Sequence, residues 1–324
     1  MSALTSMKAS MARPGSPSRE VRPALVVSVD FEDWNQLVRR RVGDPGWDTR
    51  TRALARQTSA LLAALEEIGA RATFFVLGIT ARRYPELVRE IAAHGHELAS
   101  HGFEHRRVYD GDANELRADL ERSVELVGEI ANVRPRGYRA PAFSINRTTP
   151  WAYEVLAELG FAYDSSQYDS PRIPARIRPV PSAPFVLALE SGATLWELPV
   201  AAWRIGTRSV PVGGGAYWRV LPERALLRGL RNAASGGSAS LYVHPYECDP
   251  QPLRAGVAAA APAAVRAHAR VRELQRNPGR KRVLSHLRAV GHHFRLLTCE
   301  QAYEQFSRGT SPGQRALPRE RQVV

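Results

Sequence analysis

Residues 24–33 read ALVVSVDFED, a continuous apolar run that ends in three carboxylates within four positions: Asp30, Glu32 and Asp33. A run apolar at both odd and even positions suits a strand buried on both faces, as in a parallel sheet covered by helices. Working outward, residues 52–68 place Leu54, Leu61, Leu62, Leu65 and Ile68 at helical spacing, and Gly69 stops them. ATFFVL (72–77) is a second buried strand. The alternation continues with helices expected over 85–94, 113–130, 149–159 and 222–234, and strands over 97–100, 137–140, 195–199 and 240–244. Units of this length mean parallel strands joined by crossover helices, the α/β class. A barrel fits better than an open sheet, because Asp30, His101, Arg139 and His244 each fall at the C-terminal end of a strand, where a (β/α) barrel gathers its chemistry.

The chain has 324 residues, 44% hydrophobic and 24% charged, which excludes disorder throughout and collagen-like repetition. No apolar run reaches the roughly 20 residues of a membrane span, and residues 1–23 lack the apolar core of a secretory signal. With only Cys248 and Cys299, neither a disulfide scaffold nor a thiolate zinc site is available, and the expected location is the cytoplasm. The net charge is +13, nearly all of it arginine, since Lys8 and Lys281 are the only lysines. Residues 254–295 hold ten basic side chains against one acid, Glu273. No helix-turn-helix or RNA-binding motif accompanies them, so no nucleic acid is expected; peripheral contact with an anionic inner membrane is. The expected organisation is a disordered leader (1–23), a barrel (24–250), a basic C-terminal extension packing on it (251–310) and a disordered tail (311–324). Within the extension, basic helices are expected over 265–287 and a closing strand over 293–297. The prolines of 170–184 and the triple glycine at 213–215 read as loops over the barrel mouth.

His101 and His105 stand at i and i+4, a spacing that on a helical turn lets both reach one divalent ion. Two imidazoles and a carboxylate make an open three-ligand site, so Asp33, or Glu32, would complete it. Arg139 neutralises or orients a carboxylate, and His244 at a strand end suits an acid that protonates a leaving group.

In this order the segments SVDFEDW (28–34), GHELASHGFEH (95–105), RGYRAPAFS (136–144) and SLYVHPYECD (240–249) resemble the polysaccharide deacetylase (NodB-homology) family of metal-dependent carbohydrate esterases. GGGAYWRVLP (213–222) and the basic tail ending HFRLL look like the subgroup found with bacterial exopolysaccharide export systems. The resemblance implies a distorted (β/α) barrel that hydrolyses an N-acetyl group from N-acetylhexosamine units, with a divalent metal, zinc or alternatively cobalt. It makes Asp30 the base, Arg139 its support, His244 the acid, and His101 and His105 ligands. The family's adjacent aspartates are here separated by Phe31 and Glu32; Asp33 is taken as the third ligand. Glu32, Tyr138, Pro141 and Trp218 are expected to meet the glycan, with a backbone N–H after Pro141 on the developing oxyanion. The alternatives are a related-fold hydrolase of another C–N bond, a cyclic amide, and an inactive carbohydrate-binding relative.

Overall fold

The computed structural model describes residues 22–177 and 180–309; the expected leader, apart from residues 22 and 23, and the expected tail lie outside the described residues. Its strands are β1 (Ala24–Phe31), β2 (Thr73–Val76), β3 (Glu97–Ser100), β4 (Gly137–Tyr138), β5 (Tyr163–Asp164), β6 (Phe185–Ala188), β7 (Thr194–Glu197), β8 (Ala202–Ile205), β9 (Arg208–Pro211), β10 (Ser238–Val243) and β11 (Arg295–Leu297). The helices are α1 (Trp34–Arg41), α2 (Arg52–Glu67), α3 (Gly78–Arg83), α4 (Pro85–Ala93), α5 (Ala113–Ala131), α6 (Trp151–Glu158), α7 (Ala216–Val220), α8 (Glu223–Ala234), α9 (Pro245–Cys248), α10 (Ala263–Arg276), α11 (Arg280–His293) and α12 (Cys299–Arg308).

The main sheet runs β10-β1-β2-β3-β4-β5-β7-β6, parallel except for the β6–β7 edge pair, and β8–β9 form a separate hairpin. Val200, just past β7, bridges Tyr168 on one side and Ser240 of β10 on the other, and Ala201 N–H donates to the Ser240 carbonyl (2.8 Å). These single-residue bridges draw the curled sheet together, giving the expected distorted (β/α) barrel.

All eight residues of β1 are buried, and strand alternation sorts them. Leu25, Val27, Val29 and Phe31 face outward into the core shared with Leu54, Leu61 and Leu65 of α2. Ala24 and Val26 point inward with Phe75, Ala99, Tyr163 and Leu198. The next two inward positions, Ser28 and Asp30, are polar, so the barrel interior changes from apolar to charged towards its C-terminal rim.

The C-terminal segment enters the fold more deeply than an appended extension. β2 begins pairing with β1 only at Ser28, which leaves Ala24–Val26 free on that edge, and β11 fills the place. Val283, Leu287, Val290 and Phe294 join the same core as β1. The basic stretch forms two helices, divided at Gly279, whose φ of +76° and whose closeness to the Arg219 carbonyl (2.2 Å from an added Cβ) admit no side chain. Several of its arginines are struts: Arg280 donates to the carbonyls of Asp249 and Gln251, Arg282 to that of Val220, and Arg288 pairs with Glu67. Phe294→Ala is expected to cost about 3–5 kcal/mol. Urea unfolding followed by far-UV signal and by tryptophan fluorescence should show one shifted transition; separate loss of the C-terminal helices would contradict this shared core.

Candidate active site

Asp30, Glu32, His101, Arg139 and His244 come together at the C-terminal rim. Arg139 is fully buried and occupied on every side: Nε donates to the Ser165 carbonyl (3.0 Å), NH2 to Ser165 Oγ (2.8 Å), and NH1 to both Ser28 Oγ and Asp30 Oδ1 (2.8 Å each). Its guanidinium lies 4.1 Å from the centre of the Phe75 ring. The Arg139 carbonyl accepts from His101 Nδ1 (2.8 Å), and because a carbonyl only accepts, that nitrogen carries the proton and Nε2 is left with a lone pair. Burial lowers the His101 pKa to about 4, against the pull of Asp30 and Glu32, so the ring is neutral at ordinary pH.

Glu32 is the carboxylate that meets the histidines. Its Oε2 lies 2.9 Å from His105 Nε2 and 4.0 Å from His101 Nε2, and its Oε1 lies 3.6 Å from His244 Nε2. Burial pushes the Glu32 carboxyl up, but His105, His244 and His101 together outweigh it and bring the pKa down to about 2. Asp33, expected as the third ligand, is turned away. It is the N-cap of α1, with Oδ1 accepting from the N–H groups of Asn35 (2.9 Å) and Gln36 (3.4 Å) and Oδ2 accepting from the Tyr84 hydroxyl (3.1 Å). The alternation of β1 explains the swap, since Asp30 faces inward, the chain turns at Phe31, and Asp33 must start the next helix.

The two histidines lie on a loop, not on the helical turn that their spacing suggested, and His105 adopts φ +54°. Asp119 of α5 clamps that loop by accepting from Phe103 N–H (2.6 Å) and Glu104 N–H (3.0 Å). Glu32, His101 and His105 offer one ligand atom each, all within 4.8 Å of one another. A tetrahedral ion with bonds near 2.1 Å needs ligand atoms roughly 3.4 Å apart, which the 2.9 and 4.0 Å separations bracket. One carboxylate, two imidazoles and a free Nε2 on His101 fit a divalent cation.

His244 sits beside this group with its own carboxylate. Its Nδ1 contacts Glu247 Oε2 (3.1 Å), and the same oxygen accepts from His244 N–H (3.1 Å). Burial alone would lower the His244 pKa, but the bond and charge of Glu247, helped by Glu32 and Asp30, raise it. Glu247 was not anticipated, although an acid three residues after a strand-end histidine and Pro245 is a recognisable helix-start signal.

Tyr138 and Trp218 do not reach the site. Tyr138 lies in the core against Phe161, facing outward because its neighbour Arg139 faces inward, and Trp218 is buried with Nε1 donating to the Val212 carbonyl (2.7 Å). Pro141 is buried at the rim, opening a short turn in which Ala142 is exposed at φ +56° and its N–H has no hydrogen-bond partner among the described residues.

Residues 44–163 match the model of the polysaccharide deacetylase family, and residues 165–304 match a domain of unknown function, DUF3473. Over residues 44–163 the chain is thus similar to polysaccharide deacetylases. The family's enzymes are hydrolases of C–N bonds other than peptide bonds. A peptidoglycan-N-acetylglucosamine deacetylase of Bacillus cereus is 30% identical over 98 residues, 30% of this chain and 36% of that one. The chain spans less than half the length of the first curated relatives that it matches. A solved Mycobacterium smegmatis protein described as a polysaccharide deacetylase is 29% identical, with 90% of this chain and 99% of that one covered at a TM-score of 0.51. The allantoinase Puue, 16% identical with 93% and 96% covered at a TM-score of 0.55, shares the fold. The deacetylase match contains His101, His105 and Arg139, while Asp30 and Glu32 precede it and His244 follows.

Glu32→Ala and His101→Ala should each remove tight zinc binding, read by elemental analysis after gel filtration. Asp33→Ala should retain it and instead lower stability by roughly 1 kcal/mol, as loss of an N-cap does. Zinc loss in Asp33→Ala with retention in Glu32→Ala would reverse the assignment.

Proposed function

We propose that this protein is a metal-dependent hydrolase that removes N-acetyl groups from N-acetylhexosamine units of a polysaccharide. The observation that carries the reading is the convergence of Glu32, His101 and His105 beside two separately supported groups, Asp30 on Arg139 and His244 on Glu247. The match to the deacetylase family agrees with it. Glu32, His101 and His105 hold the divalent cation, zinc or alternatively cobalt, which when bound polarises the amide carbonyl and acidifies water. Asp30 is the general base: Arg139 holds its Oδ1, fixing the carboxylate to take the proton of the attacking water. The exposed, unpartnered Ala142 N–H is a donor for charge developing on the carbonyl oxygen. His244, whose protonated form Glu247 supports, delivers its proton to the departing nitrogen, because an amine leaves poorly as an anion. The finer reading is an exopolysaccharide or its precursor, processed at the cytoplasmic side of the membrane. It is supported by segments 213–222 and 293–297, and peripheral membrane contact would rest on α10, where Arg270, Val271 and Leu274 are exposed.

Incubating zinc-loaded protein with N-acetylglucosamine oligomers should release acetate, and a chelator should stop it. No acetate from any N-acetylated glycan, with turnover of a cyclic amide instead, would replace the reading.

His244→Ala separates proton donation from folding. On the amide, kcat should fall by about 10²–10⁴, while hydrolysis of an aryl acetate, whose leaving group needs no proton, should fall far less. Equal losses on both substrates would remove the acid role.

A further inference from the structure

α10 brings to the rim a charged side chain that the chemistry above does not use. Ala269 and Glu273 are the buried residues of this helix, and Glu273 Oε1 accepts from Ala255 N–H (2.8 Å). Beyond its end, Asn277 accepts from Leu253 N–H (2.8 Å) and donates to the Leu253 carbonyl (2.9 Å). Arg219 donates to the carbonyls of Gln275 (2.9 Å) and Arg276 (2.8 Å). The last turn is therefore pinned from three sides, and the backbone of Arg276 has little freedom.

The Arg276 side chain is half-buried, and the groups that its charge meets are Tyr246, Glu247, Glu32 and Tyr242, with Tyr246 foremost. The interaction is reciprocal, since Arg276 acts on the Tyr242 and Tyr246 hydroxyls. These residues surround His244: its ring centre lies 5.1 Å from that of Tyr246 and 5.6 Å from that of Tyr242. Among the described residues the Arg276 guanidinium makes no hydrogen bond and no ion pair. Its basic neighbours differ, because Arg219 and Arg280 spend their donors on backbone carbonyls. The nearby carboxylates are already engaged, Glu247 with His244 and Glu32 with His105. A guanidinium with five donors, half withdrawn from water beside a reaction centre and with no anion hydrogen-bonded to it among the described residues, is arranged to take a planar oxyanion from outside.

We propose that Arg276 is a specificity-determining residue that receives a carboxylate or phosphate carried by the glycan, displaced from the N-acetyl group that reacts. This rests on the deacetylase reading and narrows it to anionic glycans. A bidentate pair is within reach of arginine and not of lysine, whose ammonium is a point charge, so Arg276→Lys keeps part of the preference and Arg276→Gln loses it.

The test uses full-length zinc-loaded protein and acetate release from three probes: chitotetraose, a tetrasaccharide alternating glucuronate with N-acetylglucosamine, and UDP-N-acetylglucosamine. Wild type should favour at least one anionic probe over chitotetraose in kcat/KM by about 10- to 100-fold, the scale of hydrogen bonds to a charged group, mainly through KM. In Arg276→Gln that ratio should approach one, with Arg276→Lys between, and the probe whose ratio collapses tells whether carboxylate or phosphate is recognised. A wild-type ratio near one with acetate released from chitotetraose overturns the proposal and leaves the deacetylase reading standing. An anionic preference that survives in Arg276→Gln also overturns it. Absence of acetate from every probe overturns both.

Discussion

A guanidinium without contact to solvent, inside a barrel of short parallel strands, is the constraint on which the site depends. An unpaired charge there would cost several kcal/mol, so each nitrogen of Arg139 must be met. Ser28 and Asp30 from β1 meet one nitrogen, and the backbone and hydroxyl of Ser165 meet the others. The same residue presents its carbonyl to His101 and its N–H to the Ser100 carbonyl (3.0 Å). The proposed base and one proposed ligand thus take their orientation from a single residue, and the ends of β1, β3, β4 and β5 are tied together.

A second buried group supports this one. Asp164 and Glu197, at the ends of β5 and β7, are both fully buried, and burial pushes both pKa values up, Glu197 the further. Ser166 Oγ donates to Asp164 Oδ1 (2.6 Å) and accepts from Ala140 N–H (2.8 Å). A hydrogen-bonded line therefore runs from the buried acid pair to the residue that precedes the Pro141 turn, and the direction in which the Ala142 N–H points is set from beneath.

How much of this could be read from residues alone follows from what each signal encodes. Runs such as ALVVSVD and ATFFVL report burial on both faces, so β1 and β2 and their helices were visible, as was the rim through the residues that end the strands. Two-residue strands such as β5, and the β8–β9 hairpin, carry too short a pattern to register. Asp33 reads as a ligand in the sequence, although an acid directly before Trp34-Asn35-Gln36 is also an N-cap, and only the geometry weighs the two roles. Tyr138 was within reach of reasoning: if Arg139 faces inward, its strand neighbour faces out. The arginines of 276–288 could not be sorted by sequence, because a strut to a carbonyl and a solvated charge look alike in one dimension.

His101 and His244 are both buried at strand ends, with opposite electrostatic outcomes. Desolvation lowers both, and what differs is the acceptor on Nδ1. A neutral carbonyl fixes the tautomer of His101 without offering a full charge, so burial wins and the ring stays a lone-pair donor. A carboxylate on His244 adds a charge that outweighs burial, and the pKa of the ring is raised. Glu32 lies between them, one oxygen towards His101 and His105 and the other towards His244. Two histidines of equal intrinsic basicity are thereby set apart by their second nitrogen, which is the division that the proposed roles of ligand and acid require.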